Sequence, residues 1–155
     1  MVVWRICQRK WASSAFTGLG AAENPGRWNS EGRKAVYCAE SRSLAAWEVL
    51  AHTASKRSLR FAHFVAIPAD VPDDLIVRPT RFPADWDAQP PPESTRAFGD
   101  RFLTSAKFPV IRLPSVTVRG EFCFLLNPAH PDFAEIAIGK PEPFSFDGRA
   151  VGLSP

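Results

Sequence analysis

Fifteen prolines are scattered through the 155 residues, and no fold built from long uninterrupted elements tolerates them. Each proline locks its own φ and removes a backbone donor, so helices and strands must be short and loops numerous. The stretch 68–92 is rich in Pro and Asp and ends in Gln89-Pro90-Pro91-Pro92. Only 75–77 within it reads as a strand. Around that stretch, apolar periodicity predicts strands over 2–7, 35–39, 59–67, 108–113, 122–126 and 134–138. The strand 59–67 would place Leu59, Phe61, His63, Val65 and Ile67 on one face. The nearly continuous apolar run 122–126 predicts a central strand. One helix is expected over about 44–54, capped by Ser41 or Ser43, and another from Glu93 or Ser94 to about 106. Gly18, Gly20, Pro25 and Gly26 mark a loop between the first two strands, and 141–155 reads as an irregular tail. With no repeat and no dividing linker, the pattern is that of one α+β domain spanning 1–155.

Composition narrows the class further. At 45% hydrophobic residues the chain can bury a core without disulfides. Cys7, Cys38 and Cys123 are odd in number and widely separated, which suits reduced thiols in a cytoplasmic protein. His52, His63 and His130 show no metal-ligand spacing, so no metal is expected. The opening strand is too short for a signal peptide, and nothing approaches the roughly 20 apolar residues of a membrane helix. The net charge of +3 favours an anionic ligand, an acidic protein or nucleic acid without choosing among them.

Six passages carry groups that could serve chemistry. Arg27 follows Gly26, which permits close approach of a ligand, and its planar fork suits phosphate oxygens; a surface arginine in a loop is the plainer account. Arg5 is a cation in an apolar strand, facing either solvent or a cleft. Tyr37, the one tyrosine, offers a ring to stack and a hydroxyl to bond, or simply packs in the core. Glu48 is the most telling. On a helical wheel Leu44, Trp47, Ala51 and Ala54 form an apolar face, and Glu48 borders it. A carboxylate there is either paired or part of a site. His52 at i+4 is its local candidate partner, with Arg5 and Arg27 as distant ones. Ser115 follows a strand at a proline turn and could bond a ligand or cap the turn; Asn127-Pro128-Ala129-His130-Pro131 reads first as turn chemistry. Gly18-Leu19-Gly20 lacks the third glycine of a dinucleotide fingerprint, and no P-loop or GxSxG occurs.

Taken together, Trp4-Arg5-Ile6, Gly26-Arg27-Trp28-Asn29, Gly32, Tyr37, Ser41, Glu48-Val49-Leu50, Pro114-Ser115 and Asn127-Pro128-x-His130-Pro131 stand in the order seen in the RES domain family. The chain resembles that family most strongly over residues 2–131. It departs from it at Phe102, where tryptophan is commoner; an aromatic is kept, so packing should survive. The resemblance implies an ADP-ribosyltransferase-like α+β fold with mixed and antiparallel sheets and a few helices. It implies a toxin of a bacterial type II toxin–antitoxin system that cleaves the nicotinamide–ribose bond of NAD+ by hydrolysis or phosphorolysis. The implied partner is a cognate antitoxin with an Xre-like DNA-binding region that blocks the active site. By matching positions, Glu48, Arg27 and Tyr37 would be catalytic, and Arg5, Arg27, Tyr37 and Ser115 would hold NAD+, with no metal. Two other readings stand beside this one. A mono-ADP-ribosyltransferase modifying a host protein would use the same pocket. A nucleic-acid-binding module without catalysis is suggested by the aromatics and the positive charge, but no helix carries a basic stripe. Self-association has no residue-level argument for or against it.

Overall fold

The computed structural model describes residues 1–54, 58–59 and 62–151. In chain order these form β1 (Val2–Gln8), α1 (Leu19–Glu23), β2 (Val36–Ala39), α2 (Arg42–His52), β3 (Phe64–Asp70) and β4 (Ile76–Val77). α3 (Glu93–Ser105), β5 (Val110–Pro114), β6 (Phe122–Leu126), β7 (Ala137–Ile138) and β8 (Glu142–Phe144) follow. Short 3-10 turns at Arg9–Ser14, Asp73–Leu75, Pro131–Glu135 and Gly148–Val151 fill several of the connections. This is the mixed α+β class expected.

All eight strands share one sheet in the order β4-β5-β6-β2-β1-β3-β7, with β8 on the same edge of β3 as β7. Every pair is antiparallel except β4 with β5. The sheet is not uniformly zipped. Seven register pairs join β1 to β3, and four join β2 to β6. Between β1 and β2 there is one, Trp4 opposite Ala39. The sheet therefore parts into two halves at its middle, beside Tyr37 and Arg5.

Side-chain alternation divides the core into two layers. Ile6, Ala39, Ile111, Leu113 and Leu125 face the helices, where Leu44, Ala45 and Leu50 of α2 and Phe102 of α3 complete the packing. Val3, Val36, Cys38, Val110, Phe124 and Leu126 face the other way, covered by Val71, Leu75, Ile76 and Ile136. β6 is central, as expected from its apolar run. Phe102 is 8% exposed, so the replacement of the commoner tryptophan leaves a packed aromatic.

Three expectations need correction. The third strand begins at Phe64 and runs to Asp70, not over 59–67. It pairs on both edges and is buried on both faces, so its pattern is continuous where alternation was read. Leu59 is buried outside the strand, and Phe61 lies outside the described residues. The tail from 141 is not wholly irregular: β8 extends the sheet, and Phe144 and Phe146 pack edge-on at 5.1 Å. Residues 152–155 lie outside the described residues. The loop before β2 holds α1, a helix of five residues that no amphipathic pattern announced.

The buried thiols make stability fall at high pH. Burial pushes the Cys38 thiol up from 9.0 to about 12, and Cys7 and Cys123 move the same way for the same reason. The unfolded chain releases these protons first, so stability is intact below pH 9 and declines as pH rises toward the native value. At pH 10.5 the Cys38 contribution amounts to ~2 kcal/mol, from ~1.4 kcal/mol per unit of pH. Urea unfolding between pH 8 and 10.5 should show this fall, and Cys38→Ala should make it shallower, with the shares of Cys7 and Cys123 remaining.

Candidate active site

Glu48 is delivered by α2. Ser41 caps that helix, its Oγ accepting the Leu44 N–H at 3.0 Å. The helix turns differently from the apolar wheel drawn on sequence. Trp47 is 56% exposed, and Ala51 and Ala54 are exposed too. Leu44, Ala45 and Leu50 face the sheet instead, because a helix can come close only where a small side chain such as Ala45 lies at the contact. Glu48, one turn beyond Leu44 and Ala45, thus moves from the border of the stripe into the sheet-facing side.

There its carboxylate is anchored by one oxygen. Ser115 Oγ donates to Oε1 at 2.9 Å, and Cys123 Sγ donates to the same oxygen at 3.4 Å. Ser115 is itself held: it is 2% exposed, and its Oγ accepts the N–H groups of Thr117 and Val118, both at 3.1 Å. Its own N–H donates to the Glu121 carbonyl at 2.9 Å. Oε2 accepts no hydrogen bond among the described residues. His52, the partner expected from spacing, stands 3.8 Å from Oε2 and donates Nδ1–H to the Glu48 carbonyl at 2.8 Å. Burial, and then the nearby Glu48 charge, drive the Cys123 thiol strongly upward, so it stays protonated as a donor.

Arg27 reaches the same side of the sheet from the loop before β2. Asn29 shapes that loop. It is fully buried, and its Oδ1 accepts the Gly26 N–H at 2.9 Å and the Tyr37 hydroxyl at 2.8 Å. Its Nδ2 donates to the carbonyls of Ala21, Ser30 and Arg33. The Tyr37 hydroxyl in turn accepts the Trp28 N–H at 3.0 Å. A Cβ at Gly26 would lie 2.7 Å from that hydroxyl, so glycine is required for room against Tyr37 and not for an unusual φ. Leaving a buried amide such as Asn29 unpaired costs ~1–3 kcal/mol, which is why this network fixes a single loop shape.

The outcome for Tyr37 differs from one expectation. Its hydroxyl is spent on the loop, and burial drives its proton affinity well above the ordinary phenol range. Only the half-buried ring is left to meet a ligand. Arg27 Nη1 donates to the carbonyls of Trp86 and Ala88, both at 2.8 Å. Partial burial pulls its proton affinity down, while Asp87, then Glu48, then Tyr37 pull it back up. Arg27 and Glu48 are within each other's field, yet no ion pair joins them among the described residues. A cation and a carboxylate held near but apart remain available to a ligand.

Arg5 is not brought into this group. Alternating with Trp4 and Ile6, it shares the opposite face of the sheet with Val3 and Cys7, and its charge acts on Cys7 and Cys38. Its Nη1 donates to the Tyr37 carbonyl at 2.9 Å, where the β1–β2 ladder opens, and its buried Nε has no partner. Arg5, expected among the residues that hold NAD+, thus starts from the face of the sheet away from Arg27, with its guanidinium at the opening between β1 and β2. His130 is structural: its Nε2 donates to the Ala106 carbonyl at 2.8 Å and its Nδ1 accepts the Asp132 N–H. It thereby pins the end of α3, where Ala106 takes a left-handed φ of 48°.

Two surface concavities lie elsewhere, one beside Arg9 and His63, the other beside Trp47 and Phe146. Neither is lined by Glu48, Arg27, Tyr37 or Ser115. The charges mark the site more clearly than the surface shape, because the Trp86–Ala88 segment bonds to Arg27 and Trp86 packs against the buried cluster that holds Trp28.

The profile of the RES domain family matches residues 2–147. The chain belongs to the RES domain family. Among its curated relatives, a protein named Toxin Res from Yersinia enterocolitica (serotype O:8 / biotype 1B) is 33% identical over 150 residues, covering 96% of this chain and 99% of the relative. A protein named Prs ADP-ribosylating toxin from Sphingobium sp. is 34% identical over 155 residues, covering 96% of this chain and 95% of the relative. A chain in the crystal structure of the M. tuberculosis MbcT–MbcA toxin–antitoxin complex superposes with a TM-score of 0.71 at 16% identity. That match covers 93% of this chain and 84% of the other, and it speaks for the fold. Within this RES domain, sequence reasoning missed Asn29 as the loop's hub, Cys123 as a Glu48 donor, and Asp87. Nothing in spacing could reveal Cys123, which stands 75 residues from Glu48. Asn29 had one signal, an amide within a glycine-rich loop.

Proposed function

We propose that this RES domain cleaves NAD+ at the nicotinamide–ribose bond and acts in the cytoplasm as the toxin of a toxin–antitoxin pair. The observation that carries the reading is the carboxylate of Glu48, clamped through one oxygen by Ser115, with the Arg27 guanidinium in its field but not paired to it. In NAD+ the nicotinamide is a cationic leaving group. When the C–N bond breaks, its electron pair stays on the pyridine nitrogen, and positive charge passes to the ribose carbon and ring oxygen. A fixed carboxylate beside that carbon stabilises the developing cation without supplying a proton. Glu48 takes that role. Arg27 binds a phosphate oxygen through its fork, and the Tyr37 ring stacks on nicotinamide. Water or inorganic phosphate then adds to the ribosyl carbon.

The Sphingobium relative's name favours a second reading: the same cation is captured by a side chain of another protein, giving ADP-ribosylation. The solved toxin–antitoxin complex supports an antitoxin as partner, one that would cover Arg27 and Glu48. The deciding experiment incubates the purified protein with NAD+, with and without phosphate, and follows free nicotinamide. Release is expected, and a phosphate-bearing product assigns phosphorolysis. No release from well-folded protein rejects cleavage. A labelled protein band from labelled NAD+ in lysate assigns transfer.

A further inference from the structure

We propose that Arg119 and Arg27 form one two-arginine clamp for the phosphates of the dinucleotide, and that Asp87 is the internal anion those phosphates displace. The inference rests on the NAD+ reading above and adds a ligand residue to it.

The geometry centres on three consecutive residues. Arg27 Nη1 holds the carbonyls on either side of Asp87, those of Trp86 and Ala88, at 2.8 Å each. Arg119 Nη2 holds the Asp87 carboxylate between them, at 2.9 Å from Oδ2. Two guanidiniums from separate parts of the chain thus converge on one segment that presents a carboxylate and two carbonyl oxygens. An array of anionic and dipolar oxygens between two arginines is the arrangement a pyrophosphate would adopt there, with more charge and better bidentate geometry.

Arg119 is also placed by the site itself. It lies in the turn whose N–H groups at Thr117 and Val118 donate to Ser115 Oγ, and Ser115 Oγ donates to Glu48. The turn that aims the carboxylate therefore also carries the second cation. Arg5 is engaged elsewhere, its Nη1 donating to the Tyr37 carbonyl at 2.9 Å. Asp87 has 34% of its side chain exposed and Arg119 81%, so the pair can open without unpacking the core.

The test compares Arg119→Ala and Asp87→Asn by calorimetric binding of inorganic pyrophosphate and of ADP-ribose, and by KM and kcat for NAD+. Arg119→Ala should weaken both ligands and raise KM about fivefold to tenfold, the low end for a charge-assisted hydrogen bond because the side chain is exposed. Its effect should fall on KM more than on kcat. Asp87→Asn should act in the opposite direction, tightening both ligands about twofold to fivefold by removing the competitor. Opposite signs separate a ligand clamp from a plain surface ion pair, whose loss from either side would leave binding alone. Unchanged affinity in Arg119→Ala, weaker binding in Asp87→Asn, or no binding of either ligand to the wild type overturns the clamp. Ligand binding without nicotinamide release would instead retain the clamp and reject the cleavage reading.

Discussion

Glu48→Gln should lower nicotinamide release by roughly 10²- to 10³-fold, the loss typical when one preorganised electrostatic contact to a transition state is removed. The substitution isolates charge from shape. Glutamine keeps a carbonyl oxygen that can accept from Ser115 Oγ and Cys123 Sγ as Oε1 does now. The helix keeps its Ser41 cap and its packing through Leu44, Ala45 and Leu50. Thermal unfolding should therefore move little while turnover collapses. Ser115→Ala is a less clean probe. It leaves Oε1 to Cys123 alone and also deprives the partly buried N–H groups of Thr117 and Val118 of their acceptor, at up to ~1–3 kcal/mol for each donor left unpaired. Equal rates for wild type and a well-folded Glu48→Gln would show that the carboxylate has no part in bond cleavage, and the proposed mechanism would fall.

What the sequence made legible followed from local rules. The strand at 122–126, the capped helix carrying Glu48 and the helix ending near 106 all announced themselves through period, cap and apolar run. The candidate residues Glu48, Arg27, Tyr37 and Ser115 could be named because each breaks a local rule or sits in a recognisable order. What stayed hidden was set by register. Arg5 and Tyr37 look equivalent along the chain, each a polar group in a short strand. Pairing of β1 with β2 through Trp4 and Ala39 puts their side chains on opposite faces of one sheet. The orientation of α2 was hidden for a related reason. A wheel weights Trp47 by its size, but the sheet surface selects for closeness, and Ala45 wins that contact. Asp87 lay in a stretch that reads only as loop, so its place beside Arg27 depends on a fold that brings residues 59 to 61 positions apart into contact.

Gly99→Ala should unfold the protein more readily and impair the site together. Helix propensity predicts the reverse, since alanine in a helix interior is favoured over glycine by ~1 kcal/mol. Sterics decide the sign. A Cβ on Gly99 would collide with the Trp28 carbonyl oxygen and lie 2.7 Å from its carbon. Those atoms are backbone and cannot rotate away as a side-chain tip could. The neighbours allow little retreat. Trp28 is 4% exposed and meets Phe98 edge-on at 5.8 Å, and the Ser30 N–H donates to Asp100 at 3.0 Å, so the loop is fastened to α3 on both sides of Gly99. Overpacking of this kind costs ~1–3 kcal/mol and at times more, which outweighs the propensity gain and lowers the melting temperature by several degrees. Because Arg27 directly precedes Trp28, any shift that relieves the clash also moves the guanidinium, and NAD+ turnover should fall beyond what lost folded protein explains. Gly20→Ala is the control: among the described residues nothing lies within 4 Å of its Cβ position in α1, so the same change there should be neutral or mildly stabilising. A Gly99→Ala protein that melts at or above the wild type would mean that α3 and the Trp28 loop are not in the contact on which the placement of Arg27 depends.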